Sequence, residues 1–90
     1  MNNQHQEITG YRELTQDEID LINEAKELEA KFLDFASYVE DVLDRQSMHN
    51  QVECDRQNEA KVHHWLAMGC TDIETGTMAI VRAITKPQPK

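Results

Sequence analysis

Two groups of residues in this chain have the types and positions that chemistry needs. The first is Tyr11, Arg12 and Lys26, within GYRELTQDEIDLINEAK at positions 10–26. An aromatic ring can stack on a nucleobase, a contact worth roughly 1–3 kcal/mol, and guanidinium and ammonium groups bind phosphate oxygens. The second group is His49, His63, His64, Cys54 and Cys70. Zinc sites use pairs spaced C-x2-C or H-x3-H, which bring two ligands onto one face, and no pair here has that spacing. Adjacent His63 and His64 point about 100° apart on a helix, and neither cysteine lies in a local activating motif. No metal, cofactor or catalytic thiol is expected. A metal-free phosphodiesterase built on His63 and His64 is the enzymatic alternative. The plainer reading gives one imidazole a polar contact and leaves the other solvated.

TQDE supplies Thr15 as N-cap and Glu18 as the partner of a capping box. A helix over 15–46 is predicted to start there, after an arm of residues 1–10. On a helical wheel Lys26 falls over Ile19 and Ile22, at the border of the apolar face, so its stem can pack while its ammonium stays free. Tyr11, just past Gly10 and ahead of the cap, can swing its ring toward a base. Spacing by itself favours simpler roles, with Tyr11 stapling the helix start and Lys26 pairing with Glu29.

Leu14, Leu21, Leu28, Phe35 and Val42 recur every seven residues; Ala25, Phe32 and Val39 make a second line, and Ile22, Ala36 and Leu43 a third. A helix of about 30 residues is about 45 Å long, longer than a compact monomer of this size is wide, so part of its stripe is expected to meet another subunit. The polar DRQSMHNQ is the expected bend. A second helix over 51–68 carries Val52, Val62, Trp65, Leu66 and Met68 and is expected to stop at Gly69. TDIE repeats the capping-box pattern, with Thr71 as N-cap of a third helix over 71–85; Pro87 and Pro89 then leave a tail over 86–90. The prediction is an all-α single domain, a long helix plus two shorter ones packed as an antiparallel helical bundle in a homo-oligomer.

The net charge of −8 is uneven: residues 1–45 hold 12 acids against 4 bases, and residues 46–90 hold 5 of each. Binding a DNA or RNA polymer needs a basic footprint that this distribution does not offer. A small phosphorylated ligand needs only a few well-placed cations, because the diffuse field is screened over roughly 8 Å at physiological salt. No apolar run reaches membrane-spanning length, and MNNQHQE lacks a signal-peptide pattern. Two cysteines suit a reducing compartment, so a cytoplasmic protein without a membrane partner is expected.

The opening MNNQH, then GYRELTQDEID, the AKEL around Lys26 and the block WLAMGCTDIETGTMAIVRAI resemble the phage cyclic-oligonucleotide sponges that block bacterial CBASS immunity, the second anti-CBASS family. Residues 30–60 match only in being helical. The resemblance implies a homohexamer, a trimer of dimers, that acts in the host bacterial cytoplasm. It implies sequestration of cyclic dinucleotides and cyclic trinucleotides without cleavage, which starves the host effector of its signal. Tyr11 takes the position of the family's base-stacking aromatic and Lys26 that of its base or phosphate contact, with Arg12 beside them. Trinucleotide contacts fall at His64, Cys70 and Thr71; where relatives carry an arginine before the tryptophan and a lysine after the glycine, this chain has His64 and Cys70. The alternative is a structural or regulatory helical oligomer with no small ligand.

Overall fold

The structure is a computed structural model, which describes residues 13–87. Three helices follow one another, α1 (Gln16–Ser47), α2 (Gln51–Ala60) and α3 (Val62–Thr85), with no strand among the described residues. The start of α1 is set by local hydrogen bonding. Thr15 is extended (φ −78°, ψ 165°), its Oγ1 accepts the Glu18 N–H at 3.2 Å, and Glu18 Oε1 accepts the Thr15 N–H at 2.8 Å. Asp17 and Glu18 in the first turn and Arg45 in the last complement the helix dipole. With 32 residues, α1 is about 48 Å long.

The chain turns at Met48–Asn50, where His49 adopts φ 54° and Asn50 Oδ1 accepts the Glu53 N–H at 3.0 Å to cap α2. Beyond this turn the helices divide differently from the pattern read in the sequence. The break lies at Lys61, in the left-handed region (φ 57°, ψ 45°), and α3 then runs unbroken through Gly69 and Thr71. Thr71 is therefore an interior residue of α3. A glycine costs a helix interior about 1 kcal/mol, which weakens it without ending it. An unbroken α3 keeps Leu66, Gly69, Cys70 and Ile73 along one hollow against Phe32, Ala36 and Val39 of α1.

At one end of the fold Gln57 Nε2 donates to the Leu43 carbonyl at 2.8 Å, and at the other Lys86 Nζ donates to Glu18 Oε2 at 3.0 Å. The chain thus doubles back, with the end of α3 beside the start of α1. The turn at Lys61 lets α2 stay against the last turns of α1 while α3 follows its middle.

This chain alone makes almost no core. Ala36, 8% exposed, is the sole buried apolar residue among those described. Glu18, Gln57, Thr77 and Thr85 are also buried, and each is hydrogen-bonded, Thr77 Oγ1 donating to Ile73 O at 2.8 Å and Thr85 Oγ1 to Arg82 O at 3.3 Å. The radius of gyration, 19.2 Å, far exceeds the roughly 12 Å of a compact chain this long. Of the three apolar lines on α1, the one holding Ile22, Ala36 and Leu43 is the most covered, whereas Leu21, Leu28 and Phe35 stand 52%, 58% and 59% exposed. On α3 Trp65, Met78 and Ile80 are also largely exposed, Ile80 on the side that faces α1.

Candidate functional site

Lys26 is exposed on the side of α1, beside the half-buried Ile22 and Leu33. It forms no ion pair or hydrogen bond with another of the described residues. The Lys26–Glu29 pair is absent, since Glu29 is half-buried and lines the trough between α1 and α3. At 100° per residue, Lys26 lies roughly 160° around α1 from Leu28. The free ammonium and the uncovered apolar strip consequently face nearly opposite directions, and a body packed on the strip leaves Lys26 open. Tyr11 and Arg12, the other two members of the predicted dinucleotide site, lie outside the described residues.

The unbroken α3 relates the other candidates. His64 and Thr71 are both exposed and seven residues apart, which places them on one face two turns apart, about 10 Å along the axis. Cys70 points elsewhere: it is half-buried and lines the hollow shared with Phe35, Trp65 and Gly69. The His64 ring meets Trp65 edge-on, with centroids 5.5 Å apart at 66°. His63 is exposed, His49 lies in the left-handed turn, and Cys54 Sγ accepts from Asn58 Nδ2 at 3.9 Å. Both thiols are free, and among the described residues no three His, Cys, Asp or Glu side chains converge as a metal ion requires.

A trough of about 500 Å³ runs between α1 and α3, walled by Leu21, Ala25, Leu28, Phe32, Ile73 and Ile80. A Cβ built on Gly76, at its side, would meet nothing within 4 Å. The trough is open and apolar, a surface made to be covered by another apolar surface more than one suited to a charged ligand. No helix of the described residues is long and apolar enough to cross a membrane.

Two structural contacts escaped the sequence reading. Gln57 is buried and ties α2 to α1, with no local signal to mark it. Lys86 falls in what the sequence presents as a tail, yet its ammonium reaches Glu18 across 68 positions. Its signal was indirect, a cation directly after the C-terminus of a helix facing an acid already assigned to a cap.

The family model of the Acb2/Tad1 hairpin domain matches residues 3–85. Anti-CBASS protein 2 of Pseudomonas phage JBD67 is 38% identical, in an alignment covering 98% of this chain and 98% of that protein. The match runs from near the start of the chain through all three helices, so this chain belongs to the Acb2/Tad1 hairpin-domain family.

Proposed function

We propose that this chain is an anti-CBASS protein that binds cyclic dinucleotides and sequesters them without cleaving them, in the cytoplasm of a phage-infected bacterium. The observation that carries the reading is the end-to-end likeness to Anti-CBASS protein 2. Lys26 supports it, being an exposed cation without an ion-pair partner among the described residues, on the net-acidic α1. In this reading the Tyr11 ring stacks on a base, the Lys26 ammonium meets base or phosphate, and Arg12 adds a second cation. The surrounding negative field repels long polyanions, while a compact dianion is held by a few close donors.

The site is shared between copies of the chain. Four residues separate Tyr11 from Thr15, a span of at most about 14 Å, whereas Lys26 lies eleven residues beyond Thr15, about 16 Å along α1. An arm folded fully back along its own helix comes within about 2 Å of the level of Lys26 only if every residue of it is fully extended. An arm from a neighbouring copy has no such limit. The uncovered Leu21, Leu28 and Phe35, and the space beside Gly76, support self-association as helical bundles, with the homohexamer as the assembly. Cyclic trinucleotides take a second site on the face shared by His64 and Thr71, with Cys70 in the wall behind it.

Calorimetry with a panel of cyclic dinucleotides tests the reading. Tyr11→Ala and Lys26→Ala should each weaken binding at least about tenfold, or about 1.4 kcal/mol, with the assembly intact and the released nucleotide unaltered by chromatography. Full-strength binding by both variants would refute the pocket. A second reading, a helical oligomer with no small ligand, is favoured by the same apolar strip. It predicts no thermal shift with any cyclic nucleotide, whereas ligand at 100 times its Kd should stabilise the protein by about 2.7 kcal/mol.

A further inference from the structure

The hairpin of α1 and α3 has two open sides, and they differ in charge. On one lies the trough, whose lining includes Glu24, Glu29 and Asp72. The trough also fixes the sense of rotation on each helix. On α1, Leu21 and Leu28 stand about 40° and 60° around from the half-buried Ala25, and Lys26 about 100° in the other sense. On α3, Gly76 and Ile80 stand about 100° and 60° from the buried Thr77, and Arg82 about 140° in the other sense. Neither cation lines the trough, and the two share the opposite side of the hairpin.

The doubling back of the chain sets their level. Lys86 meets Glu18 at 3.0 Å, so Arg82, one turn before Lys86, lies level with Ile22, one turn beyond Glu18. Lys26 is a further turn along, about 6 Å. With helix axes about 8–10 Å apart, the Lys26 and Arg82 Cα atoms are roughly 12 Å apart. Both residues are exposed, and their long side chains can close on one molecule lying between them. Met78 is level with Lys26 on the same side and 66% exposed, a polarisable apolar surface for a nucleobase.

Like Lys26, Arg82 forms no ion pair or side-chain hydrogen bond with another of the described residues. A cation in the last turn of a helix favours the helix dipole wherever it points, so that position explains the charge of Arg82 but not its side. On this side α1 presents Ile19, Lys26, Ala30, Leu33 and Ser37, with no carboxylate among them. Of the two acids on α3, Asp72 lines the trough, which leaves Glu74. In a chain of net charge −8, two unpaired cations beside one acid make a locally positive face.

We propose that Arg82 is a ligand-contacting residue of the cyclic-dinucleotide site: its guanidinium binds one phosphodiester while Lys26 of the same subunit holds the far side of the molecule, with Met78 between them. This rests on the reading that Lys26 belongs to that site. The planar fork of a guanidinium offers two parallel N–H donors to two phosphate oxygens, and two cations match the two negative charges of a cyclic dinucleotide.

The test is calorimetry on the full chain with 3′,3′-cyclic GMP–AMP, for the wild type, Arg82→Gln, Arg82→Lys, Lys26→Ala and Lys31→Gln. Lys31 is the control, because its loss removes the same unit charge from another side of α1, beside Glu24 and Glu27. Arg82→Gln should weaken binding about tenfold, the scale of a lost charge-assisted hydrogen bond. Arg82→Lys, which keeps the charge and loses the fork, should fall between that variant and the wild type, and Lys31→Gln should bind as the wild type does. Equal losses in Arg82→Gln and Lys31→Gln would reduce the effect to net charge and overturn the contact. Melting and sedimentation velocity accompany the titrations. A lower melting temperature in Arg82→Gln at unchanged affinity, or an affinity loss that tracks loss of the assembly, makes Arg82 merely structural and overturns the proposal. Full-strength binding by Arg82→Gln beside a weakened Lys26→Ala overturns this assignment and leaves the site standing. A wild type with no affinity for the probe overturns the cyclic-dinucleotide reading and this proposal with it.

Discussion

Leu28→Asp gives the most direct test of the assembly on which the proposed site depends. In the single chain Leu28 is 58% exposed, at the middle of the Leu21, Leu28, Phe35 line. Complete burial of a leucine is worth about 1.5–3 kcal/mol, so the part still facing water represents about 0.9–1.7 kcal/mol for each copy that covers it. In a two-fold contact both copies lose it, which gives about 1.7–3.5 kcal/mol, or about 20- to 300-fold in the association constant. A buried, unpaired carboxylate adds to that cost. The subunit itself loses little, because the exposed side chain contributes little to its own packing. Sedimentation velocity over a dilution series measures the effect, with far-UV circular dichroism as the check on helicity. Ser37→Asp is the control: Ser37 is exposed on the opposite side of α1 and lies off the strip. The reasoning fails if Leu28→Asp assembles at the same concentration as the wild type, or if the wild type stays a single chain at every concentration.

Thr15→Ala removes the hydroxyl that accepts the Glu18 N–H and should destabilise the chain by about 1 kcal/mol, measured by urea unfolding; no change would mean that the cap contributes nothing. Lys61→Gly places the least restricted residue at a left-handed position (φ 57°), where it should stabilise the native state by about 1 kcal/mol. A lower melting temperature would show that the lysine side chain serves the break between α2 and α3.

The site was only partly legible in the chain. The position of Lys26 at the edge of the packed face followed from helical geometry, because orientation on one helix depends only on residue number. Its lack of an acidic partner did not, because Glu29 is drawn toward the trough by α3. The sequence pattern puts His64 and Thr71 on separate helices, and their common face exists only because α3 is continuous.

Residue order was sufficient for what is local. Thr15 and Glu18 bond to each other three positions apart, and the heptad spacing makes α1 long and amphipathic whatever it packs on. Fold class, helix start and the exposed apolar strip of α1 follow from such short-range terms. Tertiary structure decided which apolar line is covered, where the second break falls and what Lys86 meets. A glycine penalty near 1 kcal/mol at Gly69 is small beside the packing along an unbroken α3. An acid and a lysine 68 positions apart come within 3.0 Å only after the chain has doubled back.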